Sequence, residues 1–539
     1  MPSLDQQQDQ ENRTAADARG AFFAKRGYRD KPIPDWAPTR LRLPAPSLPE
    51  RPALVAAYWH AWEAAFEGFR RPPSGSGLVS NYLDPGCEGR LSMLAMASAV
   101  PFLDLAHDLV PGVQGLDNFY SAQHGDGEIA RDLEPDGSDH EPWVNREGRP
   151  LFSRRTGRTV DLGRDDAGVP SLTLDGCAHP LLAWAERESY RQTGDAGRVA
   201  EVWEPLVQFH RAWRARLRHA NGLYVSDWAA MENSPRNAAL GFGVDTNAEV
   251  VLAARCLAEL APVAAREAEN AGMRAQGMAA RRAGAELAAE AEALGALIRE
   301  RMWDEETGFF YDLRPDGSRA TVPTVAAFWT LVAGVASPAQ AARLAAWVED
   351  PEGFGRTVPV PTLAARAAGF DGRGGYFRGG VFPPFVLMAV RGLGDTGHGE
   401  LAHRVALRFC DAVAEVAQRT GAFWENYAPD EAAPGRPARP DVIGSGAVAG
   451  LLLLEQGVGL RANAPLRELR WTIRTTGACG CERYWFAGGR LDLAAEERRR
   501  PEDAVRVTVT SDKPITLRLR AEGREAAVRV VGRREITLP

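Results

Sequence analysis

The hydrophobic pattern of this chain is helical over most of its length and turns to strict alternation near the C-terminus. From about residue 51, apolar positions recur every three or four residues. Leu54, Tyr58, Trp62 and Phe66 form one such stripe within PALVAAYWHAWEAAFEGFRR. LSMLAMASAVPFLDLAHDL predicts a second helix, and a shorter third one spans about 113–123. Helical periodicity returns at about 180–192, 196–219, 246–268, 274–302, 322–334, 337–349, 384–394, 397–418 and 443–456. AVAGLLLLEQGVGL is apolar on every side, as an inner helix must be. LAHRVALRFCDAVAEVAQRT carries one apolar stripe, as an outer helix must. About twelve helices joined by alternating short and long connections predict a mainly α fold: six inner and six outer helices closing as an (α/α)6 barrel.

Three stretches depart from the helical pattern. Residues 1–50 read as an extended, polar and Pro-rich arm. Residues 125–178 are dominated by Asp, Gly, Arg and Pro and predict a long irregular excursion, of the kind that often serves function. After about residue 463, ELRWTIRTT, ERYWFAGG, RLDLAAEE, AVRVTVTS, ITLRLRAEG, AAVRVVG and REITLP alternate with period two. They predict a C-terminal antiparallel β-domain of six or seven strands over 463–539, leaving 51–462 for the barrel.

Composition narrows the function. The net charge of −7 argues against a nucleic-acid surface, which needs a basic excess to hold phosphates. The longest apolar stretch, Ala447 to Leu454, is too short to span a bilayer, so no membrane partner is expected. The polar start lacks a secretory pattern, and the six cysteines form no disulfide framework. A reducing cytoplasm fits these features. Cys479 and Cys481 have no second pair beside them, so no metal site is expected. Homo-oligomerisation is left open.

Two segments concentrate carboxylates, aromatics and turn residues outside the helices: NGLYVSDWAAMENSPRNAA at 221–239 and RTGAFWENYAPD at 419–430. Each places one Glu, Glu232 or Glu425, near an aromatic and a Pro. Cleavage of a glycosidic bond needs two carboxyls flanking it, one protonated and one ionised. Trp228, Trp424 and Tyr427 offer apolar faces to sugar rings and lower the local dielectric around a carboxyl. Each segment alone also reads as an ordinary surface loop or helix start, with Ser234 as cap and Pro235 in the first turn.

The order of seven short pieces decides between these readings. LDNFYSAQHGDGEIARDL, HPLLAWAERESYRQTGD, MENSPRN, VDTNAE, MWDEETGFFYD, VPVPTLAA with GGYFRGGVFPP, and FWENYAP stand in one order over roughly 55–460. Together they resemble the clan of helical-barrel inverting glycosidases that includes trehalase, glycoside hydrolase family 63, and the mannosylglycerate and glucosylglycerate hydrolases. The resemblance implies Glu232 as general acid and Glu425 as general base, acting on an α-linkage. Acid–base catalysis by two carboxyls requires no cofactor, and a cytoplasmic location implies a small carbohydrate as substrate.

Departures from the clan pattern accompany the matches. The acid is Glu where the clan has Asp, which keeps Asp227 as a rival. The early aromatic–Asp pair is missing, Phe382 stands for the usual Trp, and Val386-Leu387 replace Asn-Tyr. Gln123, His124, Asp126 and Arg131 either bind sugar or pin the excursion. Asn233 and Arg236 follow the acid, and Arg236 either binds an acidic aglycone or pairs with a carboxylate. Arg378 sits in a Gly-rich turn that lets a ligand approach the backbone. His179, before Pro180, reads as a helix-start group. The alternatives to a glycosidase are a non-catalytic sugar-binding protein and a helical-barrel lyase or unsaturated-uronide hydrolase.

Overall fold

The computed structural model describes residues 31–87, 89–125, 127–139, 179–226, 231, 233–236 and 241–539. Among them, ten α-helices of at least ten residues follow the predicted stripes closely. They are α1 (Pro52–Gly68), α2 (Met93–Leu103), α3 (Leu182–Thr193), α4 (Ala196–Leu217), α5 (Val244–Asn270), α6 (Arg274–Arg301), α7 (Pro338–Glu349), α8 (Pro383–Asp395), α9 (Gly399–Thr420) and α10 (Ile443–Leu452). Local chemistry sets their ends. Ser337 and Gln340 close a capping box at the start of α7, with Pro338 in its first turn. Gly421 ends α9 in the left-handed conformation that a side chain would disfavour.

Burial separates inner from outer helices. Every residue from Gly444 to Leu452 in α10 is buried, and this helix packs against α1, α2, α8 and α9. In α6 only one face is covered, by Ala280, Ala283, Leu287, Ala291, Leu294 and Ile298, the spacing of an amphipathic outer helix. Two predicted helices are broken. The stretch 113–123 forms a 3-10 turn (Val113–Leu116) and one short turn of α-helix (Asp117–Ser121). The stretch 322–334 likewise forms Val325–Phe328 and Trp329–Val332. Gly112 and Pro323 stand just before these pieces on the N-terminal side.

The C-terminal strands form one seven-stranded sheet: β1 (Ala45–Ser47), β2 (Leu460–Asn463), β3 (Glu468–Thr472), β4 (Cys479–Phe486), β5 (Gly489–Ala495), β6 (Val505–Ala521) and β7 (Arg524–Leu538). The order is β1-β4-β5-β6-β3-β2, with β7 along the other edge of β6. Three features differ from the sequence reading. The arm supplies β1, which pairs with β4, and β3 runs parallel to β6 rather than antiparallel. The predicted strands AVRVTVTS and ITLRLRAEG are one long strand, β6. Its pairing with β7 slips between Ser511 and Ile515, where the Ser511 hydroxyl donates to the Lys513 carbonyl at 2.6 Å. No helix of the described residues is long and apolar enough to cross a membrane.

Sheet and helices share one apolar core that includes Trp62, Trp184, Trp329 and Trp471. Buried arginines tie distant segments through it. Arg198 reaches Asp117 at 2.5 Å and Glu186 at 2.6 Å. Arg391 on α8 pairs with Glu188 on α3 and with Glu455 at 2.6 Å. Trp471 on β3 is fully buried, and its Nε1 donates to the Val458 carbonyl just past α10 at 3.0 Å. Replacing it by Ala should cost about 3–5 kcal/mol, since a large cavity opens in the core. A urea titration followed by far-UV circular dichroism would measure the loss.

Candidate active site

A cavity of about 550 Å³ opens where α2, α3, α8 and α10 begin. That size lies within the range of roughly 300–1,000 Å³ usual for small-molecule sites. Its wall is aromatic on one side, formed by Tyr376, Phe377, Phe382 and Phe385. Phe377 and Phe382 stack with centroids 4.7 Å apart. The rest of the lining is strongly polar: Arg90, Arg131, Asp132, His179, Glu425 and Arg439. Burial pushes the Cys87 thiol, also in the lining, up to about 11, so it stays protonated at neutral pH.

Glu425 is held by one of its two oxygens. Arg439 Nη2 donates to Oε1 at 2.7 Å, and the Tyr376 hydroxyl donates to the same oxygen at 3.3 Å. Oε2 makes no hydrogen bond to a described residue. The Glu425 amide also donates to the Arg439 carbonyl at 2.9 Å, so the two strands of this loop are tied twice. Tyr376 adopts φ +58°, a left-handed conformation rare for a residue with a bulky side chain. Such strain persists only where the surroundings impose it. Asn233 imposes part of it: its Nδ2 donates to the Gly375 carbonyl at 2.9 Å, and its Oδ1 accepts from the Phe377 amide at 2.9 Å. The segment 231–236 is thereby bonded to the turn that carries Tyr376.

Arg236 anchors the other end of that segment. It is buried between Asp245 and Asp312, at 2.6 and 2.7 Å. Burial alone would lift both carboxyls. At Asp245 the guanidinium outweighs burial and the net shift is downward. At Asp312 burial and the nearby Asp245 charge prevail, and the net shift is upward. With both carboxylates engaged, Arg236 takes the second of its two expected roles: it pairs with carboxylates and does not line the cavity.

Other expected ligand residues also sit elsewhere. Gln123 is buried and donates to the Gly127 and Pro205 carbonyls at 3.0 and 2.8 Å, so it pins the start of the excursion to α4. His124 pairs with Asp139 at 2.6 Å. Arg378 donates to the Gly369 carbonyl at 2.9 Å, outside the cavity lining. Trp424 donates its indole N–H to Thr420 at 3.1 Å. Tyr427 is fully buried, and its hydroxyl accepts from the Trp424 amide at 3.2 Å. Both aromatics brace the Glu425 loop from outside. Glu425, Arg131 and Phe382 line the cavity. Glu232, Asp227, Trp228 and Asp126 lie outside the described residues, as does the excursion over 140–178.

The cavity adds two residues that the sequence did not single out, Asp132 and Arg439, and includes His179, which the sequence marked as a helix-start group. Asp132 lines it with a buried Oδ1 that has no hydrogen bond to a described residue. Its place directly after Arg131 was the available signal. Arg439 lies in the run RPARP, where nothing local marks it. His179 stands in the wall with Nδ1 bonded to Glu249 at 2.6 Å.

Replacing Arg236 by Ala would leave two buried carboxylates without their counter-charge, at a cost of about 3–5 kcal/mol. The measurement is the urea midpoint at pH 7. Because protonation neutralises the stranded carboxyls, the deficit relative to wild type should shrink as the pH falls from 7 to 5.

The residues around this cavity belong to a recognisable lineage. Residues 164–445 match the model of the mannosylglycerate hydrolase MGH1-like glycoside hydrolase domain. An uncharacterized protein of Borreliella burgdorferi is 23% identical over 416 residues, covering 75% of this chain and 78% of its own. Among solved structures, the GH63 mannosylglycerate hydrolase from Thermus thermophilus in complex with glucose superposes with a TM-score of 0.53. It is 18% identical, over 73% of this chain and 99% of that one. A sialidase structure superposes at 0.58 with 14% identity, over 96% of this chain and 44% of its own. With more than half its length matched, the chain belongs to the MGH1-like glycoside hydrolase family.

Proposed function

We propose that this protein is an inverting glycosidase of small α-linked glycosides, with Glu425 as general base and Glu232 as general acid. The proposal takes the helices to close as an (α/α)6 barrel, carrying the β-domain at 463–539 after a barrel region at 51–462. The observation that carries it is the state of Glu425. Two donors fix Oε1, while Oε2 of a cavity-lining carboxylate is left without a hydrogen bond to any described residue. A carboxylate so anchored can accept a proton from a water at Oε2 without moving. The water oxygen then bonds to the anomeric carbon, the bond from that carbon to the glycosidic oxygen breaks, and Glu232 gives its proton to the departing oxygen.

Asn233 supports the pairing of the two glutamates. It directly follows Glu232, and it bonds to the turn whose Tyr376 donates to Glu425. The aromatic wall of Phe377, Phe382 and Phe385 suits the apolar face of a sugar ring. Arg131 beside Asp132 supplies polar groups for its hydroxyls. Asp227 stays the rival acid. In an inverting enzyme the acid and base carboxyls stand roughly 6.5–9.5 Å apart, leaving room for the water.

The Thermus neighbour has also been solved with Tris and D-glycerate, which makes mannosylglycerate the first glycoside to assay. A panel of α-glycosides followed by proton NMR should show the first-formed sugar as the β-anomer; release of the α-anomer would contradict inversion. Replacing Glu425 by Gln should lower kcat by about 10²–10⁴-fold, with sugar binding retained in calorimetry. The Glu232→Gln and Asp227→Asn variants assign the acid by the same criterion. A sugar-binding protein would instead be indifferent to all three.

A further inference from the structure

The cavity wall contains a histidine that the hydrolytic scheme does not use. His179 precedes α3, and its ring lies nearly parallel to Trp329, centroids 6.0 Å apart at 18°, with Phe385 edge-on at 6.2 Å. Its Nδ1 bonds to Glu249 on α5 at 2.6 Å, and Glu249 is buried. Nε2 makes no hydrogen bond to a described residue, although His179 lines the cavity. Two rings and a buried carboxylate thus fix the imidazole, with one ring nitrogen left for whatever occupies the cavity.

We propose that His179 is a specificity-determining residue: Glu249 holds its Nδ1, and its Nε2–H donates to an oxygen acceptor of the bound glycoside. The inference rests on the glycosidase reading for the identity of the ligand, not for the state of the ring. While Glu249 accepts from Nδ1–H, a neutral imidazole has a bare Nε2, which can only accept. Donation into the cavity therefore requires the imidazolium.

The charges around the ring favour that form. Burial alone would depress the imidazole, but the Glu249 charge and hydrogen bond outweigh it. Asp245, also on α5, adds to the effect, and Arg131 opposes it; the net shift is upward from 6.5. Arg90, Asp132, Glu425 and Arg439 share the cavity, while Trp329 and Phe385 present neutral rings. Below the raised value Nε2 is a donor, and above it the same atom becomes an acceptor. An acceptor oxygen on the ligand then loses its partner as the pH rises.

The acceptor is either a carboxylate or a sugar oxygen, and two probes separate them. Nitrogen-15 NMR of the histidine rings in the full chain, assigned with His179→Gln, should give a His179 midpoint above 6.5. Glu249→Gln should move that midpoint down. At pH 6, D-glycerate should shift the Nε2 resonance if the partner is a carboxylate, and D-glucose if it is a sugar oxygen. With a cleaved glycoside, wild-type KM should rise as the pH passes the midpoint. His179→Ala should raise KM at least tenfold at pH 6 with kcat within threefold. His179→Gln, which keeps an N–H donor but cannot titrate, should restore most of the affinity and flatten the KM profile. A midpoint at or below 6.5 would overturn the proposal, as would a KM for His179→Ala within twofold of wild type. So would silence of the Nε2 resonance to both probes. If no glycoside is cleaved, the glycosidase reading fails by itself, and the NMR measurements still decide the role of His179.

Discussion

Arg236 is the constraint on which the segment 231–236 depends. Its guanidinium lies between Asp245 at the start of α5 and Asp312, residues far apart in sequence, and all three are buried. Such a group has few alternatives: a buried ion without partners would cost several kcal/mol. The net stabilisation of a buried ion pair is small, because desolvation offsets most of the Coulomb attraction. What the clamp contributes is registry. It fixes the position of Arg236, and Asn233 is fixed against Gly375 and Phe377.

The same device recurs. Arg198 joins Asp117 and Glu186, and Arg391 joins Glu188 and Glu455. In each case one planar fork meets carboxylates from two separate segments, a geometry that a lysine ammonium does not match. Arg is abundant in the sequence and Lys scarce. At these three positions the bias has a structural use. The clamps join segments distant in sequence: Arg198 on α4 and Arg391 on α8 both reach carboxylates on α3.

This explains what the sequence disclosed and what it withheld. Helix positions were legible because apolar spacing reports burial directly: α5 to α10 start and stop within a few residues of the stripes that predict them. Glu425, Arg131 and Phe382 were legible from the order of short motifs. Gln123 and Arg236 were left between two roles, and Tyr427 was read as a face for sugar rings, for a shared reason. A polar or amphipathic residue beside a motif reads as a ligand, whereas its partner is a backbone carbonyl, a buried carboxylate or an amide supplied by the fold. Asp132 and Arg439 were passed over, and His179 was read only as a helix-start group, for the converse reason: no local pattern marks a side chain that meets the cavity only after α3, α8 and α10 have packed.

The tie between the two loops follows from these contacts. Asn233 holds the 375–377 turn by both of its polar atoms, and that turn keeps Tyr376 at φ +58° with its hydroxyl on Glu425 Oε1. Arg439 reaches the same oxygen from the opposite strand of the Glu425 loop. Two donors from two segments on one oxygen restrict rotation of the carboxyl more than either would alone. They also leave the other oxygen to the cavity. An anchored carboxylate needs little reorganisation when a proton arrives, which is the physical advantage of preorganised sites. The strained Tyr376 backbone belongs to that arrangement, because relaxing it would withdraw the hydroxyl from Glu425 and release the turn from Asn233.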